Sequence, residues 1–142
     1  MGLYYTDAQG QQQSLHIGSY GIGISRLMGV IAEKSSDDRG LVWPDQVAPF
    51  RVYLASLGQD EPVMRAAREL YASLQDQGIT VLWDDRDVRP GEKFADADLI
   101  GLPHRIVISG KTLESNTLEY KHRTADQPEN ISATELKNRL NS

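Results

Sequence analysis

The tightest constraint on the fold is an alternation of patterns that begins at residue 52. Val52 to Leu57, Ile79 to Trp83 and Arg105 to Ser109 are short apolar runs of strand length, separated by two stretches of helical character. In the first stretch Val63, Ala67, Leu70 and Leu74 recur at i, i+4, i+7 and i+11, which places them on one helix face. Gln59-Asp60-Glu61-Pro62 opens that helix with proline in its first turn, and Gly78 closes it at the C′ position. After the polar loop Asp84 to Gly91, a second helix is expected from about Glu92 to Ile100, stopped by Gly101 and Pro103. Thr117 to His122 adds a fourth strand. Ile131-Ser132-Ala133-Thr134-Glu135-Leu136 reads as a capping box with its hydrophobic staple, opening a last helix. Strand and helix in turn predict an α/β domain with a mixed, largely parallel sheet flanked by helices, its first three strands joined by two right-handed crossovers.

The chain ahead of this pattern is different. Residues 35 to 50 hold two prolines, a glycine and clustered turn formers, so a boundary is expected near residue 45, dividing the chain into 1–45 and 46–142. Gln13 to Ile17 and Tyr20 to Ile24 read as strands. Ser25 is expected to cap a helix carrying an apolar stripe of Leu27, Met28, Val30 and Ile31. Two strands and one helix cannot bury a stable core alone, so this piece reads as the end of a larger domain.

Composition excludes several function classes. The chain has 142 residues and no cysteine, which removes disulfide scaffolds, thiolate metal sites and cysteine nucleophiles. Three dispersed histidines, His16, His104 and His122, argue against a histidine metal site, and no metal ligand set is expected. No apolar run reaches membrane-spanning length and the N-terminus lacks a secretory pattern, so a cytoplasmic protein without membrane attachment is expected. The net charge of −5 argues against indiscriminate nucleic-acid binding, so any RNA contact must be local. The sign does vary along the chain. Residues 84 to 98 hold six acids against Arg86, Arg89 and Lys93, whereas residues 104 to 123 set Arg105, Lys111, Lys121 and Arg123 against Glu114 and Glu119.

Two stretches are candidates for chemistry. Gly18-Ser-Tyr-Gly-Ile-Gly-Ile-Ser-Arg26 has neither the G-x-G-x-x-G spacing nor a following Gly-Lys-Ser/Thr, so it is no dinucleotide fingerprint or P-loop. Glycines within a strand do suit close approach by a ligand, and an arginine at a strand-to-helix junction suits a phosphate; a tight strand pair with a surface arginine explains the pattern equally well. The second stretch, Asp84 to His104, begins where a sheet strand ends, the place where open α/β sheets bind ligands. Its Asp84, Asp85 and Asp87 lie among arginines, which favours a solvated turn held by ion pairs over catalysis.

Taken together, these residues resemble a known family. Gly18 to Arg26 is similar to motif 3 of class II aminoacyl-tRNA synthetases, in the form found in bacterial prolyl-tRNA synthetases. Gly40-Leu-Val-Trp-Pro-Asp45, Ala48-Pro-Phe50, Asp84-Asp-Arg, Arg89-Pro-Gly, Lys93-Phe-Ala-Asp, Leu99-Ile-Gly-Leu-Pro-His104 and Glu119-Tyr-Lys-His-Arg123 extend the resemblance over essentially the whole chain.

The resemblance implies a fragment of the class II catalytic antiparallel sheet in residues 1–45 and an anticodon-binding domain in 46–142. It implies ATP-dependent formation of prolyl-adenylate and charging of the proline tRNA, with Mg2+ accompanying ATP and a homodimeric full enzyme. Arg26 matches the motif 3 arginine that meets ATP, Gly21 and Gly23 match the glycines lying against the adenylate, and Ser19 stands near the prolyl pocket where many members have cysteine. Motifs 1 and 2 have no counterpart in these residues, so the chain alone is expected to be inactive in adenylate formation. Asp98 and Arg105 match positions that read guanine in the anticodon, and Lys121 and Arg123 are expected on tRNA phosphates. A stand-alone tRNA-binding or regulatory module without ligase activity, or a subunit completed by a second chain, remains the alternative.

Overall fold

A computed structural model describes residues 2–140. The elements in chain order are β1 (Tyr4–Thr6), β2 (Gln12–Ser14), α1 (Ile24–Lys34), β3 (Ser36–Asp37), β4 (Gly40–Leu41), β5 (Val52–Leu57), α2 (Glu61–Gln75), β6 (Val81–Asp84), α3 (Pro90–Ile100), β7 (His104–Ser109), α4 (Gly110–Glu114), β8 (Leu118–His122), β9 (Glu129–Ile131) and α5 (Ala133–Leu140). The alternation from residue 52 builds a five-stranded sheet of order β6-β5-β7-β8-β9. β5 runs parallel to both β6 and β7, while β8 and β9 are antiparallel to their neighbours.

β5 lies between two parallel strands, and Val52 to Ser56 are each at most 2% exposed. That burial requires cover on both sheet faces. On one face Val52 and Leu54 pack with Val63, Ala67 and Leu74 of α2 and Leu136 and Leu140 of α5. On the other, Tyr53 and Ala55 pack with Ala97, Phe94 and Ile100 of α3, together with Leu102 and Trp43. The two-residue period of β7 then decides where the candidate residues go. Ile106 and Ile108 join the α2 face and Val107 the α3 face, so Arg105 also stands on the α3 side.

Local signals place the helix ends. Pro90 is the first residue of α3, two positions before the expected start, because its fixed φ suits a first helical turn. Gly101 ends α3 with φ +72°. At α5 the Ser132 amide donates to Glu135 Oε2 at 2.8 Å and Glu135 N donates to Ser132 Oγ at 3.2 Å, so the capping box forms as read. α4 and β9 go beyond the sequence reading. At five and three residues they are too short to carry a period, and α4 rests on its own cap, in which Ser109 and Thr112 bond reciprocally.

The first segment departs most from expectation. β2 is three residues long and pairs with β1, Tyr4 lying opposite Ser14, and residues 15–23 have no regular structure. The strand expected at Tyr20 to Ile24 is therefore absent among the described residues. The Asp7 carboxylate accepts from the Gln9 and Gln11 amides and closes the β1–β2 turn locally, whereas the glycine-rich stretch has no partner to offset its chain entropy. Gly23, not Ser25, caps α1, and Ser25 lies inside the first turn. Leu27, Met28 and Val30 of the apolar stripe stay about half exposed.

Residues 36–50 pack onto the α/β unit as a strap. Gly40, with φ +146°, lies so close to α3 that a Cβ there would stand 2.5 Å from Leu99 Cα. A Cβ on Gly101 would stand 1.8 Å from the Leu41 carbonyl oxygen, and Trp43 N donates to Gly101 O at 3.0 Å. Only glycine permits this crossing of two backbones.

Candidate nucleic-acid interface

Arg105 and Asp98 meet on the α3 side of the sheet. β7 projects Arg105 toward α3, where its guanidinium lies 4.5 Å from the centre of the Phe94 ring. Its Nη1 is 3.9 Å from Asp98 Oδ1, an ion-pair distance without a direct hydrogen bond. The side chain is 12% exposed, burial holds its pKa below the usual value, and its Nε is buried without a hydrogen-bond partner. With Nε closed to solvent, any donor to an incoming acceptor such as a base oxygen or ring nitrogen has to come from the terminal guanidinium nitrogens. Asp98 is 25% exposed and is shared with Arg39, whose Nη1 lies 3.8 Å from Asp98 Oδ2.

Lys121 stands directly opposite Arg105 in the β7–β8 register. It is partly exposed, and among the described residues no ion pair claims its ammonium. Arg123, expected to meet phosphates, is turned inward instead. Its side chain is 2% exposed, Nη1 and Nη2 donate to the two oxygens of Asp37 at 2.9 and 2.7 Å, and Nε donates to Asp98 O at 3.2 Å. Its charge is thus neutralised within the fold before any polyanion arrives. Tyr53, Ala97, Asp98, Leu102, Arg105, Lys121 and Arg123 line a crevice of about 10 Å³, room for roughly one water. The crevice is therefore too small to enclose a nucleobase.

A second cluster lies at the C-terminal end of β6. Asp84 is 6% exposed and accepts from the Tyr53 hydroxyl and from Arg86 Nε and Nη2 at 2.8 and 2.7 Å; Arg86 Nη2 also reaches Asp96 at 2.7 Å. The Arg86 bond holds the Asp84 carboxyl well below the usual range. Lys93, 1% exposed, donates to the carbonyls of Ser56 at 2.7 Å and Asp84 at 3.0 Å, and burial lowers its pKa. Of the ion pairs expected in this loop, Arg86 makes those to Asp84 and Asp96, and Asp84 is a buried hub and not a solvated residue. Neither Lys93 nor the Tyr53–Asp84 bond was legible as such: the partners lie far apart in sequence. Beside them is a cleft of about 240 Å³ lined by Tyr53, Leu82, Trp83, Asp84, Asp85, Arg86, Asp96 and Ile100.

His104 and His122 end adjacent strands inside the sheet, facing one another. His104 is 5% exposed; its Nε2 donates to Asp45 Oδ2 at 3.0 Å and its Nδ1 accepts from the Tyr120 hydroxyl at 2.9 Å. Burial holds the imidazole pKa below its usual value, which favours this neutral form. Ser19, Gly21, Gly23 and Arg26 are exposed, and among the described residues no hydrogen bond or ion pair brings them to the Asp98–Arg105 pair. Arg26 occupies the first turn of α1.

The fold and the two clusters define an α/β module that presents paired acids and arginines on one side of its sheet. Residues 51–142 match the family model for the anticodon binding domain, and the chain belongs to that family. Among curated proteins it is similar to the proline–tRNA ligase of Methylobacillus flagellatus, 46% identical over 138 residues, which are 96% of this chain and 24% of that protein. The proline–tRNA ligase of Methylobacterium nodulans is 46% identical over 141 residues, 99% of this chain and 32% of that protein. That of Parvibaculum lavamentivorans is 48% identical over 133 residues, 93% and 30% respectively. The chain thus spans about a quarter to a third of the length of these relatives. No helix among the described residues is long and apolar enough to cross a membrane.

Proposed function

We propose that the chain binds the anticodon of the proline tRNA and is part of a cytoplasmic, homodimeric proline–tRNA ligase that joins proline to that tRNA with ATP and Mg2+. The observation that supports this best is the Asp98–Arg105 pair: an acid one-quarter exposed beside an arginine framed by Phe94, within a family of anticodon binding domains. Guanine offers N1–H and N2–H₂ donors to a carboxylate and O6 and N7 acceptors to an arginine. The proline anticodon carries guanine at its second and third positions. Asp98 and Arg105 therefore take two edges of one guanine, and Lys121 takes a neighbouring phosphate. Residues 1–45 belong to the ATP-using part: the open amides of the first turn of α1 and the Arg26 guanidinium suit phosphate oxygens, Gly21 and Gly23 leave room for the adenylate, and Ser19 adjoins the proline pocket.

A second reading of where the bases sit is favoured by one observation. The cleft beside Asp84 and Arg86 has about 240 Å³, enough to enclose a flat heterocycle, where the Asp98–Arg105 crevice does not. Single variants separate the two. Asp98→Ala and Arg105→Ala should each lower the preference for the proline anticodon over one altered at its second and third bases by roughly tenfold. Unchanged preference in both, with folding intact, moves the site to the Asp84 cleft.

A further inference from the structure

We propose that the β3–β4 hairpin sets the geometry of the base-reading pair, with Asp37, Arg39 and Arg123 as positioning residues for Asp98. The inference rests on the reading of Asp98 and Arg105 as anticodon contacts.

Three contacts converge on Asp98, two from the strap and one from Arg123, which the strap's Asp37 holds. Gly40 lies against its carbonyl, a Cβ there falling 2.7 Å from Asp98 O. Arg123 donates to the same carbonyl at 3.2 Å while both its terminal nitrogens are held by Asp37. Arg39, in the hairpin turn itself, lies 3.8 Å from Asp98 Oδ2, whereas Arg105 approaches Oδ1. The turn itself is closed by Asp37, whose Oδ1 accepts from the Arg39 and Gly40 amides at 2.9 and 3.1 Å. One carboxylate therefore both shapes the hairpin and grips Arg123.

The arrangement matters because Asp98 stands between two cations. At 3.8 and 3.9 Å neither arginine bonds it directly, so its oxygens stay available to donors from a base. With Arg39 removed, nothing opposes closure of Asp98 onto Arg105 and loss of both from recognition. With Asp37 removed, Arg123 is free to leave the Asp98 carbonyl and the end of α3 loosens.

The test uses the full 142-residue chain and an anticodon stem-loop RNA, either with the proline anticodon or with its second and third bases changed. Arg39→Ala should reduce the matched-to-altered affinity ratio about threefold and Asp37→Asn about tenfold, with the salt dependence of binding unchanged because no phosphate contact is lost. Arg39→Lys should restore the ratio. A folded Arg39→Ala protein with the wild-type ratio overturns the proposal. Asp98→Ala is run alongside: if it leaves the ratio unchanged, the anticodon reading of Asp98 has failed. Amide exchange at residues 99–102 in Asp37→Asn then judges the hairpin alone. Exchange faster there by about tenfold, with β5 unaffected, supports positioning; unchanged exchange refutes it.

Discussion

Breaking the Asp37–Arg123 pair from its two ends should have unequal consequences. The side chains are 34% and 2% exposed respectively. Replacing Arg123 with methionine keeps most of the apolar stem and leaves a carboxylate that water already reaches. What is lost is two charge-assisted bonds and one to the Asp98 carbonyl, partly repaid by hydration, which sets the cost at about 2 kcal/mol. Asp37→Ala instead strands a guanidinium with almost no access to water, and its destabilisation should be the larger of the two. Urea unfolding followed by circular dichroism at pH 7 measures both. The pH dependence gives a further check. The Arg123 bond, opposed by burial, holds the Asp37 carboxyl well below its ordinary value of 3.8. Its contribution is therefore complete above that value and is lost as pH falls through the folded pKa, so wild type and Asp37→Ala should converge on acidification. The reasoning fails if Asp37→Ala proves the milder change, or if both cost less than about 0.5 kcal/mol.

Other expectations follow from the same contacts. Gly101→Ala places a Cβ against the Leu41 carbonyl at a left-handed φ and should cost more than about 2 kcal/mol in the same unfolding assay, whereas Gly21→Ala, with open space around it, should be silent. A chain beginning at residue 46 loses Asp37, Gly40 and Trp43 from the α3 side and should unfold at lower urea than one beginning at residue 36. His104 is held neutral between Asp45 and Tyr120; its pKa lies below the unfolded value, so His104→Gln should narrow the gap in stability between pH 7 and pH 5 relative to wild type. Lys121→Ala should weaken matched and altered RNAs alike and reduce the salt slope by about one ion, read from binding at two salt concentrations.

The parts of the fold that were legible are those whose information is local. The helix face of Val63, Ala67, Leu70 and Leu74, the proline and glycine punctuation of α3, and the Ser132–Glu135 box each lie within a few turns of chain. The strap was not legible, because its meaning depends on Arg123, 86 residues beyond Asp37, and sequence shows the sign of a charge but not its burial. Arg123 and Lys121 look alike two residues apart, yet one is an internal strut and the other faces outward. The same holds for Lys93, whose place in the sequence of α3 gives no hint that its ammonium caps the carbonyl ends of β5 and β6. The glycine-rich stretch before α1 was read as strand from its residues, but a strand needs a partner, and β1 pairs with β2 alone.

The central claim is that this chain recognises the proline anticodon through its α/β unit. It is tested most directly by titrating the wild-type chain with proline tRNA and with the same tRNA changed only at the second and third anticodon bases, at one fixed salt concentration. The account predicts tighter binding of the unaltered tRNA by roughly tenfold or more. Equal affinity for the two would contradict it.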